Sequence, residues 1–158
     1  MAGLSKSYMR LALKEAAKNF KSLAGGPFGA CIVKGSKILA IERNRVLSSD
    51  ATAHAEINAI RLASQKLKTF DLSGCVIYST TEPCPMCFSA IHWARINKVI
   101  YGTAIADARS IGFNELSIKS AKMKALGKSK VKIIPAFLRK ECLALLNAWG
   151  TLEKRVVY

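Results

Sequence analysis

The chain has 158 residues, enough for one domain with its own core. It is 51% apolar and 22% charged, which excludes the disordered and fibrous classes, and no apolar run approaches the roughly 20 residues of a membrane span. Twenty-five Lys and Arg against ten Asp and Glu leave a net charge of +15, a balance that suits nucleic acid or another polyanion. Arg10 and Lys14 interrupt the apolar start and leave no signal-peptide core, so a single cytoplasmic, membrane-free domain over 1–158 is expected. Five cysteines, an odd number, argue against a disulfide framework in that compartment. Cys31, Cys75 and Cys142 sit in apolar runs and read as small buried hydrophobes, leaving the close pair Cys84 and Cys87 for chemistry.

In chain order, Tyr8, Leu11, Ala12, Ala16 and Phe20 recur at three and four and predict a helix over 5–23, stopped by Ala24-Gly25-Gly26-Pro27. Strands over 28–33 and 37–42 flank a Lys34-Gly35-Ser36 turn, and a polar loop follows over 44–52. A helix over 53–67 turns Ile57, Ala59, Ile60, Ala63 and Leu67 inward. The β-branched run 76–80 is a strand, and a helix over 84–95 opens on prolines in its first turn. Strands over 99–102 and 131–136 with a helix between them, and a closing helix over 139–154, complete an α-β-β-α-β-α-β-α-β-α order, hence an α/β fold with a mixed sheet between helices. From 116 to 140 there are eight basic residues, no acidic one and only Phe137 as an aromatic, so this stretch lacks a base-stacking platform.

Two short runs carry chemistry: Thr52-Ala53-His54-Ala55-Glu56, and Glu82-Pro83-Cys84-Pro85-Met86-Cys87. Alone, the second could be a redox pair or half a zinc site. Together they supply two thiolates at i and i+3 on a helix N-terminus, where the dipole lowers their pKa, and one imidazole. Three protein ligands leave the fourth position of a tetrahedral zinc open, as a catalytic site requires. Glu56, two residues after His54, points another way on the same turn and is placed to carry a proton. His-x-Glu followed by Pro-Cys-x-x-Cys is the signature of zinc deaminases.

These residues resemble the cytidine-deaminase superfamily, and within it the branch holding bacterial guanine deaminases and tRNA adenosine deaminases, over nearly the whole chain. The resemblance implies a three-layer α-β-α sandwich around a five-stranded mixed sheet, assembled as a homodimer. It implies one Zn2+ per subunit on His54, Cys84 and Cys87, Glu56 as proton shuttle, and backbone amides near Ala55 and Cys84 facing the substrate. The run from Gly25 through Phe28 to Ala30 and the run from Ala90 through Trp93 to Arg95 are similar to guanine deaminases, although His92 stands where a Tyr is usual. Asn44 matches a base-binding Asn of both enzyme groups. Asp107 resembles the acidic residue that reaches guanine's ring N–H edge, where an acceptor-only carboxylate meets the donors at N1 and the 2-amino group. Tyr158 matches a terminal Tyr that covers the site from its own or the partner's subunit. The implied reaction is guanine to xanthine plus ammonia. The alternatives are tRNA adenosine-to-inosine deamination, favoured by the +15 charge, and deamination of guanosine or another aminated ring. A non-enzymatic zinc module for nucleic acid is opposed by Glu56 and by the missing fourth protein ligand. Asp50-Ala51-Thr52 departs from the Pro usual before the His and does not choose among substrates.

Overall fold

The structure, a computed structural model, describes residues 4–158. Its five-stranded sheet has the order β2-β1-β3-β4-β5. Strand β1 (Gly29–Lys34) lies antiparallel to β2 (Lys37–Arg43) and β3 (Cys75–Thr81), while β3, β4 (Lys98–Thr103) and β5 (Lys132–Ile134) run parallel. Both faces are covered, so side chains of either parity are buried along β1. Ala30 and Ile32 enter the core under α3 (Ala55–Leu67) and α4 (Pro85–Trp93), with Phe88 and Ile91. Cys31 and Val33 enter the opposite core under α1 (Lys6–Ala17) and α7 (Arg139–Gly150), with Met9 and Cys142. This is the expected α-β-α sandwich. A Cβ on Gly29 would collide with the Ala12 carbonyl, so only glycine lets α1 lie this close to β1.

Element ends fall within two residues of expectation except in the first helix, between β4 and β5, and at the end of α7. The first helix breaks at Lys18, and a short α2 (Asn19–Ser22) follows. The buried Asn19 amide donates to the carbonyls of Gly26 and Asn44 at 2.8 Å, while its oxygen accepts from Arg43. Leu23, at φ 51, ends the turn before the glycines are reached. Between β4 and β5 run two short helices, α5 (Ile105–Ser110) and α6 (Ser120–Leu126), joined by irregular chain. Buried Glu82 links them, one carboxylate oxygen accepting from Ile105 N–H and the other from Ser120 N–H. Strand β5 stops at Ile134, before Pro135. Helix α7 stops at Gly150, and the tail beyond it folds back onto Phe113.

Candidate active site

The motifs meet where β3 delivers the chain to α4, beside the start of α3. His54 and Cys84 are the N-cap residues of α3 and α4, both with extended backbone, and Pro85 holds the first helical position of α4. His54 Nδ1 lies 3.7 Å from Cys84 Sγ and 3.5 Å from Cys87 Sγ, and the three donor atoms all fall within 4.8 Å of one another. A tetrahedral zinc with Zn–N of about 2.0–2.1 Å and Zn–S of about 2.3 Å sets N···S separations of about 3.5 Å, so this donor set fits the ion. Cys87 donates to Cys84, which holds the Cys84 thiol down at about 4 and, with burial, pushes Cys87 well up. The pair thus shares one proton in the metal-free protein. Burial opposes a charge on His54, but the hydrogen bond with Cys84 and the nearby Glu56 carboxylate raise its pKa overall.

Glu56 occupies the first turn of α3 with 6% of its surface exposed. Ser79 of β3, unmarked by any sequence signal, donates to Glu56 Oε1 at 2.9 Å. The other oxygen, Oε2, faces Cys87 Sγ at 3.5 Å. Burial pushes the Glu56 carboxyl up, against the pull of His54. Ala55 is buried at the first position of α3, where its N–H has no intrahelical acceptor.

Asn44 is also buried. Its Oδ1 accepts from Val46 N–H at 3.0 Å and from the Tyr158 hydroxyl at 2.7 Å, and Tyr158 in turn accepts from Gly26 N–H at 2.9 Å. Because Val46 N–H can only donate, the amide orientation is determined, and Nδ2 is left without a protein partner among the described residues. A side chain on Gly25 would run into this amide. Phe28 packs edge-on against Phe113 with centroids 4.9 Å apart, and Phe113 meets the Tyr158 ring at 5.3 Å. Tyr158 therefore stands over Asn44 within its own chain.

Two expected residues are elsewhere. Both Asp107 oxygens are engaged by Arg139, at 2.6 and 2.9 Å, and Oδ2 also caps Ala104 N–H at 2.7 Å. That carboxylate fastens α5 to α7 and does not turn toward the metal ligands. Trp93, similar to a guanine-deaminase Trp and expected to be core or to line the base pocket, ends α4 at the far end from Cys84 with 76% of its surface exposed; it lines a surface recess with Phe88, His92 and Met123, away from the metal ligands.

Glu115, half-buried in the irregular chain between α5 and α6, is the carboxylate close enough to interact electrostatically with Cys84, His54 and Glu56. Burial, helped by the negative charges of Cys84 and Glu56 and opposed by His54, pushes it up to about 7. Arg109 and Asn114 hold the segment, the first reaching the Glu115 carbonyl at 3.5 Å, the second donating to the Tyr158 carbonyl at 2.9 Å. The available signal was contrast: Glu115 is the last acidic residue before the basic stretch that begins at 116.

A tetrahedral donor set at two helix N-termini, with a buried carboxylate beside it, defines a zinc-dependent hydrolytic deaminase. The chain belongs to the family of cytidine and deoxycytidylate deaminases, whose zinc-binding region matches residues 4–103. Guanine deaminase of Bacillus subtilis (strain 168) is 36% identical over 154 residues, covering 97% of this chain and 98% of its own. A tRNA-specific adenosine deaminase of Buchnera aphidicola is 35% identical over 143 residues, 89% of each chain. The structure of guanine deaminase from Nitrosomonas europaea superposes with a TM-score of 0.84 at 29% identity, over 95% of this chain and 86% of that one. No helix among the described residues is long and apolar enough to cross a membrane.

Proposed function

We propose that the whole of 1–158 is one deaminase domain that converts guanine and water to xanthine and ammonia. His54, Cys84 and Cys87 would hold the zinc. When bound there, the ion lowers the pKa of its water and so supplies an attacking hydroxide at neutral pH. Glu56 takes the water's first proton on Oε2, the oxygen that Ser79 leaves free, and gives it to the ring nitrogen beside the attacked carbon; it then takes the second proton from the hydroxyl now on that carbon and delivers it to the departing amine, which leaves as ammonia. Asn44 Nδ2 donates to the base's acceptor edge. Glu115 accepts from guanine N1–H and the 2-amino group, the role that Asp107 cannot fill while Arg139 holds it.

The observation that carries this reading is the Tyr158 hydroxyl on Asn44. It closes the base pocket with the chain's own atoms, which suits a small substrate shielded from bulk water. A flipped-out nucleotide still joined to its strand needs an open mouth. The second reading, adenosine deamination in tRNA, draws on the similarity to the Buchnera enzyme and on the charge of +15.

One assay separates them: ammonia release from free purines, pyrimidines and guanosine beside a tRNA transcript. Guanine should be the best substrate; turnover confined to tRNA and steeply weakened by salt would overturn the proposal. Tyr158→Phe deletes the hydroxyl that Asn44 and Gly26 share, and should raise KM for guanine about five- to tenfold, the worth of roughly one hydrogen bond. Zinc content and melting temperature should hardly change. Unaltered kinetics would make the tail ordinary surface.

A further inference from the structure

The lysine excess is not used by the active site. The four segments 34–37, 68–75, 94–98 and 127–132 contain eight basic residues and one acidic residue, Asp71, which is tied to Arg95 at 2.6 Å. The sheet register gathers them. Lys34 pairs with Lys37 across β1 and β2, Lys34 is opposite Cys75 at the start of β3, and Lys98 pairs with Lys132 across β4 and β5. All lie at one end of the sheet, the end at which the parallel strands begin. Like charges set directly opposite one another destabilise a sheet, and neither pair has an acidic partner among the described residues. Beside this row is a recess of about 310 Å³ lined by His92, Arg95, Asn97, Lys128 and Lys130. The buried carboxylates Glu56 and Glu82 and the half-buried Glu115 stand at the opposite end, where β3 and β4 finish.

We propose that this basic rim binds the phosphate backbone of a double-helical nucleic acid, at a site separate from the deaminase pocket. From Lys37 on β2 to Lys132 on β5, five strands at about 4.8 Å spacing span about 19 Å. That is wide enough to bridge a major groove of about 12 Å and reach phosphates on both sides. The rim segments place lysine, serine, glycine and asparagine toward solvent, and Phe70 is capped by Arg95 at 5.2 Å. The one aromatic side chain in these segments, Phe70, is 65% exposed but carries the Arg95 guanidinium over its ring, so the lysine row presents backbone-reading charge without a row of stacking aromatics. Helix α4, nine residues or about 13 Å long, separates the recess from the zinc ligands, so a duplex held here docks the enzyme without offering it a base.

The test is fluorescence anisotropy with a short fluorescein-labelled DNA duplex over a salt series. The rim variant Lys130→Glu/Lys132→Glu is compared with Lys14→Glu/Lys21→Glu, an equal charge change on exposed positions of α1 and α2. The rim variant should lose at least about tenfold in affinity and flatten the slope of log affinity against log salt by about 2, as expected for two lost phosphate contacts. The control should lose less than about threefold. Lys132→Glu, facing Lys98, should not lower the melting temperature, and ammonia release should be unchanged in both variants. Equal losses in rim and control variants, no duplex binding by the unaltered protein, or binding to vesicles of anionic lipid in preference to the duplex would each overturn the proposal.

Discussion

Glu56→Gln should keep its zinc and lose ammonia release by about a thousandfold or more, near the upper range for removing a general acid–base group. The substitution is nearly isosteric, and its carbonyl oxygen can still accept from Ser79, so the first turn of α3 and the donors His54, Cys84 and Cys87 should be undisturbed. What disappears is the oxygen that carries a proton past Cys87 toward the substrate. Metal content by mass spectrometry, melting temperature and ammonia release on one preparation separate this from a loss of the site. A variant that releases ammonia at the unaltered rate would leave the proton route without its carrier. Loss of zinc together with activity would show instead that Glu56 supports the donor cluster.

Glu115→Gln should raise KM for guanine by about 10- to 100-fold, the range for a hydrogen bond made by a charged group. The pH dependence has a definite sign. Only the ionised carboxylate is acceptor-only, so guanine binding should strengthen as pH rises through the pKa of this group. Burial and the charges of Cys84 and Glu56 push it up to about 7 in the metal-free protein, and a bound dication pulls it back toward the ordinary carboxyl range. The acid-side inflection in KM should therefore lie between the ordinary value of 4.5 and about 7, and should vanish in the Gln variant. Asp107→Asn is the matched comparison: it breaks the bond to Arg139, should lower the melting temperature and should leave KM alone. An inflection lost in Asp107→Asn and kept in Glu115→Gln would reverse the two assignments.

The same contrast marks how far the residues speak for themselves. Local sequence marked the metal-binding residues, although bringing His54 to the two sulfurs across 30 and 33 positions took the tertiary fold. His54 and Cys84 each cap a helix, Pro85 starts one, and the Cys84–Cys87 spacing brings two sulfurs to one side of a single turn, all within a few residues of chain. The three-and-four spacing on α1 and α3 likewise announced the helices, because burial on one side of a helix imposes its period on the sequence, while β1, buried on both faces, was announced by a short apolar run without alternation. Only tertiary structure decided which carboxylate lies close enough to interact with the metal ligands. Asp107 is claimed by an arginine 32 positions away, and Glu115 is placed by irregular chain that has no period to read. Ser79 beside Glu56, Asn19 beneath Asn44 and Tyr158 above it are polar contacts across 23, 25 and 114 positions. Such contacts carry no local signature, since a buried polar group is satisfied by whichever partner the packed chain presents. The exposed Trp93 and the lysine rim follow the same rule. Helix direction and strand register, not neighbours in sequence, set which end of the sheet each side chain reaches.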